Sequence, residues 1–589
     1  MRLPNLLATR KGRLTAFFLL YVTEGIPLGF AATAVATQLR RQGVGPAEIG
    51  AFVGSFYLPW AFKWAFGPVI DVFASDRIGR RRGWIIGTQV LMAATLLSTV
   101  LLKLPEQLWL FTTVLLVHNS FGAMQDVAID ALAVNTLRED ERGFANGMMF
   151  GGAYIGQALG GAGVLFLTGY TGFQATFFFV AAAILLVTLL VVLPMREAPG
   201  PARAVIAARS RLQAAGLEMK NFAVEAFRSF LGTRGAFGGL LFNLLPAGAM
   251  CLGLALQSNL AVELGMNDDQ VALINLWSTV LSAGCCVLGG YLSDRLGRRR
   301  TLFVYLAGMS LPVLYLMVQL SQFGWIMPVD TTAANRPQAP AALLTAFWIG
   351  SLVYAAFQGL MYGTRSAVMM DVTNPAVAAT QFTAYMALAN LSISYSATWQ
   401  GVAIEAWGYP RTKLIVALFG LCCQLFGPRL KNEPVQDALR AGAAAALRAR
   451  ATAGVLALLC FAWLPFQAWR ELLGGAQPIA GTLFTVVFVG SALFLLAGAA
   501  VIGAAARGLA RMAVWVAPLL FAMHLRYHVD AIARGLSGVA DPAAVKGTLD
   551  LVLRVVPVIG GVVLLLFALK PWRELGGSEP AGAAWQPAG

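Results

Sequence analysis

The chain is 589 residues long, 58% hydrophobic and only 12% charged, with a mean hydropathy of +0.70. A water-soluble domain carries about 25% charged residues, so a soluble globular protein is excluded. The net charge of +15 does not mark a nucleic-acid binder, because the basic residues sit in short connectors between apolar stretches, the pattern of a multi-pass membrane protein.

A helix that crosses a bilayer needs about 20 mainly apolar residues. On that criterion the first spans fall near 14–37, 47–70, 83–103, 107–131, 144–167 and 173–195. The basic start, Arg2, Arg10, Lys11 and Arg13, imitates a signal peptide, but the apolar run behind it contains Glu24 and Pro27 and is too long for one, so a retained first helix is expected. Residues 1–195 therefore read as a six-helix bundle. A cytoplasmic linker, 196–235, follows, and its stretch from Leu217 to Leu231 is amphipathic enough to lie along the membrane surface. A second six-helix bundle, 236–427, has spans near 236–262, 269–292, 301–321, 342–370, 379–405 and 409–427. After a second linker, 428–450, residues 451–575 hold further transmembrane helices, with candidates near 452–472, 479–504, 511–530 and 549–570; residues 576–589 form a short tail.

With the N-terminus cytoplasmic, about 30 of the Lys and Arg residues fall on the cytoplasmic side and about 11 outside, a bias that places both termini inside. The long outer loop from Gln322 to Pro340 carries no motif. The fifth span repeats glycine at Gly143, Gly147 and Gly151, and again at Gly152, Gly156 and Gly160, a spacing that lets helix backbones approach closely. All six cysteines lie in apolar segments without C-x-x-C spacing, so neither a disulfide framework nor a zinc site is expected.

Two near-identical charged turns follow the second and eighth spans: Asp76-Arg77-Ile-Gly79-Arg80-Arg81-Arg82 and Asp294-Arg295-Leu-Gly297-Arg298-Arg299-Arg300. The second is preceded by Gly290, giving G-x-x-x-D-R-x-G-R-R; in the first, Asp71 is separated from Asp76. Six plus six helices with this motif after the second helix of each half resembles the major facilitator superfamily. The stretched first copy resembles its AmpG-like muropeptide permease branch. So do the runs Glu24-Gly-Ile-Pro-Leu28, Lys63 to Asp71, Gln125-Asp-Val-Ala-Ile-Asp130, Glu141-Arg-Gly143 and Asn374 to Phe382. The resemblance spans about 14–427. It implies an all-α fold of two pseudo-symmetric bundles, here with two to four extra C-terminal helices. It also implies a monomer in the bacterial inner membrane that takes up a hydrophilic solute by proton symport, the cargo being an anhydro-muropeptide from cell-wall recycling. The fifth span lacks the proline-glycine signature associated with drug/proton antiporters, which favours import. Related carriers move siderophore or acyl-CoA-like anionic cargo, the alternative reading. On either reading the arginine turns form a cytoplasmic gate, their arginines meeting helix ends or acidic partners.

Charges inside spans cost about 2.5–3.5 kcal/mol each and so ask for a reason. Six qualify: Glu24, Lys63, Asp126, Asp130, Arg365 and Asp371. Asp126 and Asp130, four residues apart, share one helix face, where two carboxylates can hold a proton between them; the other reading pairs them with Arg80, Arg81 or Arg142. Glu24 is a second proton or substrate site, or a salt bridge, with Lys63 as its expected partner. Arg365 either holds a substrate carboxylate or phosphate or pairs with Asp371. Lys63, Tyr57, Gln358, Gln381 and Asn390 are further substrate-cavity candidates, suited to a hydrogen-bonding cargo. His118 is a possible relay eight residues before Asp126 or an interior histidine. His524 and His528 with Asp530 are the one cluster that could support a membrane-embedded enzyme or sensor, but the glutamate of H-E-x-x-H is missing. No G-x-S-x-G and no phosphate-binding G-K-[ST] occur. A secondary transporter without cofactor or metal, partnered by a small solute, protons and the bilayer but not by nucleic acid, is the expectation.

Overall fold

The computed structural model describes residues 5–570 apart from 74, 76, 138, 198–209, 247–255, 374–377, 426–429, 431–441, 503–506 and a broken run between 524 and 539. All regular structure among them is helical. Nine of the described helices are long and apolar enough to cross a membrane, and the protein is a multi-pass membrane protein. The first span is Arg10–Arg41, the second Pro46–Ala61 continued by Lys63–Val72, the third Arg82–Ser98 and the fourth Leu108–Thr136. The fifth starts at Glu139 and runs to Thr171, and the sixth is Phe173–Val192. In the second set, Arg234–Leu244 and Leu256–Glu263 form the seventh, Asp268–Leu296 the eighth, Arg298–Gln322 the ninth and Ala341–Asp371 the tenth. Ala378–Cys422 holds the eleventh and twelfth, broken at Gly408.

Local chemistry sets several boundaries. Asn267 caps the eighth helix in a reciprocal box with Gln270. The second helix begins on Pro46 and breaks at Phe62, three residues after Pro59. Lys63 therefore opens its second piece. Pro27, which has no amide proton to donate, precedes a π-helical turn, Phe30–Val35, in the first span. The two arginine turns share one feature of the backbone: Gly79 has φ +110° and Gly297 φ +95°, values that a residue with a Cβ rarely adopts. That is why the motif keeps glycine at this place in both copies.

The first and fifth helices touch backbone to backbone. A Cβ on Gly152, Gly156 or Gly160 would collide with the carbonyl oxygens of Phe18, Val22 and Ile26. From the other side, one on Gly25 or Gly29 would collide with those of Ala153 and Gln157. Only one of the two glycine rows does this, because Gly147 and Gly151 face open space. Gly156→Ala should therefore destabilise the protein by about 3 kcal/mol, whereas Gly151→Ala should be neutral. Melting temperatures of the two variants in detergent check the contrast, and equal losses would mean the rows are equivalent.

The described chain forms two compact units. One comprises Met1–Met219, Leu240–Asp371 and Phe382–Pro428; the other comprises Lys220–Gly239, Val372–Gln381 and Arg429–Gly589. The second unit contains the extra helices Gly442–Phe461 with Trp463–Trp469, Gln477–Ile502, Arg507–Ala522 and Pro542–Leu569. Within it, the C-terminal part of the helix Arg211–Gly232, from Lys220 on, packs Val224, Phe227 and Leu231 against the extra helices, with the Phe227 ring edge-on to Phe494 at 5.3 Å. Arg448 donates to the carbonyl oxygens of Leu231 and Gly232, both at 2.8 Å, at the negative end of that helix. The amphipathic stretch expected on the membrane surface thus has protein on its apolar side. Amphipathicity alone cannot tell a lipid partner from a helical one.

Candidate functional site

The in-span charges of the first six helices converge. Lys63, placed at the break in the second helix, pairs with Asp126 of the fourth, Nζ to Oδ2 at 3.1 Å, with both side chains largely buried. One turn on, Asp130 accepts a hydrogen bond from the Tyr21 hydroxyl of the first helix at 2.6 Å. Glu24 lies on that helix three residues beyond Tyr21, and its Oε2 is buried with no hydrogen-bond donor among the described residues. Lys63 was expected to partner Glu24. The ion pair it makes is with Asp126, because the fourth helix meets the piece of the second that Lys63 opens.

A neutral layer supports this cluster. Gln125 and Gln89 both donate to Thr23 Oγ1, at 2.9 and 3.1 Å, and Thr188 donates to Gln89 Oε1 at 2.7 Å. Helices one, three, four and six are thereby tied together by uncharged groups. The cluster itself holds three carboxylates and one ammonium. With all of them ionised it carries two excess negative charges in a region of low dielectric, where such an imbalance is costly. A proton or a cation relieves it.

In the second half, Arg365 is buried and donates to Asn243 Oδ1 of the seventh helix at 2.8 Å. Asp371 pairs instead with Arg298 of the second arginine turn at 2.9 Å. The intrahelical Arg365–Asp371 pairing is therefore replaced on the Asp371 side, since six residues along a helix is not a neighbouring spacing. Tyr57, Gln358, Gln381 and Asn390 are buried or half-buried on the second, tenth and eleventh helices. His118 is fully buried and sets Nδ1 against the carbonyl oxygen of Met92 at 2.9 Å, a brace between the third and fourth helices.

The first arginine turn docks on its own half. Glu197 accepts from the backbone amides of Arg81 and Arg82, and Arg82 donates to the carbonyl oxygens of Val192 and Leu193 at the end of the sixth helix. Arg295 of the second turn stacks over Tyr291 at 4.4 Å. Asp76 lies outside the described residues, as do the side chains of Asp71 and Asp294. His524, His528 and Asp530 also lie outside them, and no metal-binding group occurs among those described.

Charge sites that sequence reasoning overlooked lie at the opposite end from the arginine turns. Arg40, at the end of the first helix, pairs with Glu263 of the seventh at 2.7 Å, and both are buried. Glu263 also accepts from the Tyr409 hydroxyl at 2.7 Å and the Val329 amide at 3.1 Å, and Asn259 donates to the Tyr409 oxygen at 3.0 Å. Arg41 pairs with Asp268 at 2.7 Å, and the Ala47 amide donates to Glu405 at 2.9 Å. Each of the pairs to Glu263, Asp268 and Glu405 joins the first six helices to the second six. Beside them the second and eleventh helices pack at Gly50 and Gly401, and Ser394 donates to the Gly54 carbonyl oxygen at 2.6 Å. The outer loop expected to carry no motif supplies Val329 to this network. Opposite charges at facing helix ends, Arg40-Arg41 and Glu263 with Asp268, were the available signal.

The sequence profile of the Major Facilitator Superfamily matches residues 14–317. The anhydromuropeptide permease of Escherichia coli K12 is 24% identical over 406 residues, covering 67% of this chain and 75% of that protein. An uncharacterised protein of Haemophilus influenzae is 24% identical over 441 residues, covering 73% of this chain and 97% of that protein. Among solved structures, a bacterial homologue of the human lysosomal transporter Spinster superposes with a TM-score of 0.51 at 17% identity, covering 72% of this chain and 99% of that one. The likeness is one of fold.

Proposed function

Because this chain belongs to the major facilitator superfamily, we propose that it is a proton-coupled importer of the bacterial inner membrane, carrying a hydrophilic solute of the anhydromuropeptide kind. The observation that carries the coupling is the buried cluster of Lys63 and Asp126 with Glu24 and Asp130. The similarity to the E. coli anhydromuropeptide permease supports the cargo.

The cluster works as a proton store. Facing outwards, it takes a proton that offsets its excess negative charge. Protonation of Asp126 releases Lys63 from its ion pair, so the second and fourth helices can separate at that point. Facing inwards, the proton leaves and the pair reforms. Both termini and both arginine turns lie in the cytoplasm on this reading, as the distribution of basic residues supports. The turns then brace the inner ends of each half, and the Arg40–Glu263 network closes the outer end. Alternating access consists in exchanging these closures while the two halves rock about a central site.

Purified protein in liposomes with an alkaline interior should accumulate labelled anhydromuropeptide. Asp126→Asn should abolish accumulation while leaving exchange of labelled for unlabelled solute at equal pH. Full proton-driven uptake in Asp126→Asn, Asp130→Asn and Glu24→Gln alike would end the coupling reading.

A further inference from the structure

The second half contains a buried cation that the transport reading leaves unused. Lys413, on the twelfth helix, is 3% exposed. Its Nζ stands 6.0 Å from the centre of the Tyr409 ring, and no carboxylate pairs with it among the described residues. It lines a small cavity with Gln257 of the seventh helix and with Ser351 and Tyr354 of the tenth; apolar side chains such as Leu316 and Phe347 form the rest. Independently, Nε2 of Gln257 is buried without an acceptor. An ammonium and an amide donor, both lacking a described acceptor, thus meet at one cavity in an apolar wall. A buried charge without a counter-charge is expensive, and within a membrane it marks a functional position.

We propose that Lys413 and Gln257 form a binding site for a single carboxylate, held by the ammonium and the Gln257 amide. The cavity has the room of about one water molecule, which suits one carboxylate oxygen; the second faces its mouth. The carboxylate belongs either to the transported solute, a source that rests on the importer reading above, or to a free small acid. The site itself does not depend on that reading.

The test is the melting temperature of the full-length protein in detergent, with lactate or its neutral isostere lactamide. Lactate should raise the melting temperature of the wild type and of Lys413→Arg, and lactamide should not. In Lys413→Gln the lactate effect should disappear, with apparent affinity weakened by about tenfold or more. Because the substitution removes an unpaired buried charge, the variant without ligand should melt no lower than the wild type. A lactate shift that is equal in wild type and Lys413→Gln, or absent from the wild type, would overturn the site. If anhydromuropeptide removes the lactate shift and its methyl ester does not, the carboxylate is the solute's. If neither competes, the site serves a free acid, and it survives even where the muropeptide reading fails.

Discussion

Lys63→Met is expected to be among the most damaging single substitutions in the chain. It leaves Asp126, Glu24 and Asp130 together without their one ammonium. Removing one partner of a buried pair costs about 3–5 kcal/mol, because the remaining charge is left uncompensated. Adding Asp126→Asn should return most of that loss, since it withdraws the charge that Lys63 had balanced. The double variant should therefore fold nearly as well as the wild type and still fail at proton-driven uptake. Melting temperatures of the four members of this cycle measure the coupling. Additive losses would show that the 3.1 Å contact carries no interaction energy. The transport assay separates the two roles, because a purely structural pair would regain uptake along with stability.

The second large effect belongs to the other end of the molecule. Glu263 accepts from Arg40, Tyr409 and the Val329 amide at once. Glu263→Ala should strand Arg40 at the first helix's end, at a cost of about 3–5 kcal/mol to the closed arrangement. That energy is lost only while the outer end is shut, so the expected result is a shift of population towards an outward-open form. A single cysteine at Ala397, which is 2% exposed in the seam between the second and eleventh helices, reports it in a background without the six native cysteines. Its labelling by a membrane-impermeant reagent should rise at least about tenfold, the change that about 1.4 kcal/mol produces. Unchanged labelling would mean that the glycine seam alone holds the closure. Arg41→Ala should have a smaller effect, because Arg41 and Asp268 are each about a third exposed and such pairs contribute about 0–1 kcal/mol.

The fold was largely legible in the chain because a bilayer imposes one-dimensional rules. Each crossing must be helical and long enough, and each connector shows its charge. Hence the spans, the duplicated arginine turns and the glycine spacing could be read directly from residue order. Why each turn keeps its glycine is seen only in the backbone, in the positive φ of Gly79 and Gly297.

Partnership was another matter. Residue order shows that Lys63 and Glu24 are buried charges, but not that the break at Phe62 carries Lys63 to Asp126. It shows Arg40, Glu263 and Lys413 near span ends, where a basic residue ordinarily marks orientation. Only the packing of the seventh, ninth, tenth and twelfth helices buries Lys413, and only the meeting of both halves buries Arg40 with Glu263. The physical reason is that hydropathy is a property of each segment, whereas ion pairs and closures depend on which helix faces another. The sequence by itself determined a multi-pass helical protein built as two sixes with an appendix. The tertiary structure alone decided which of the described charges balance and which remain unmatched.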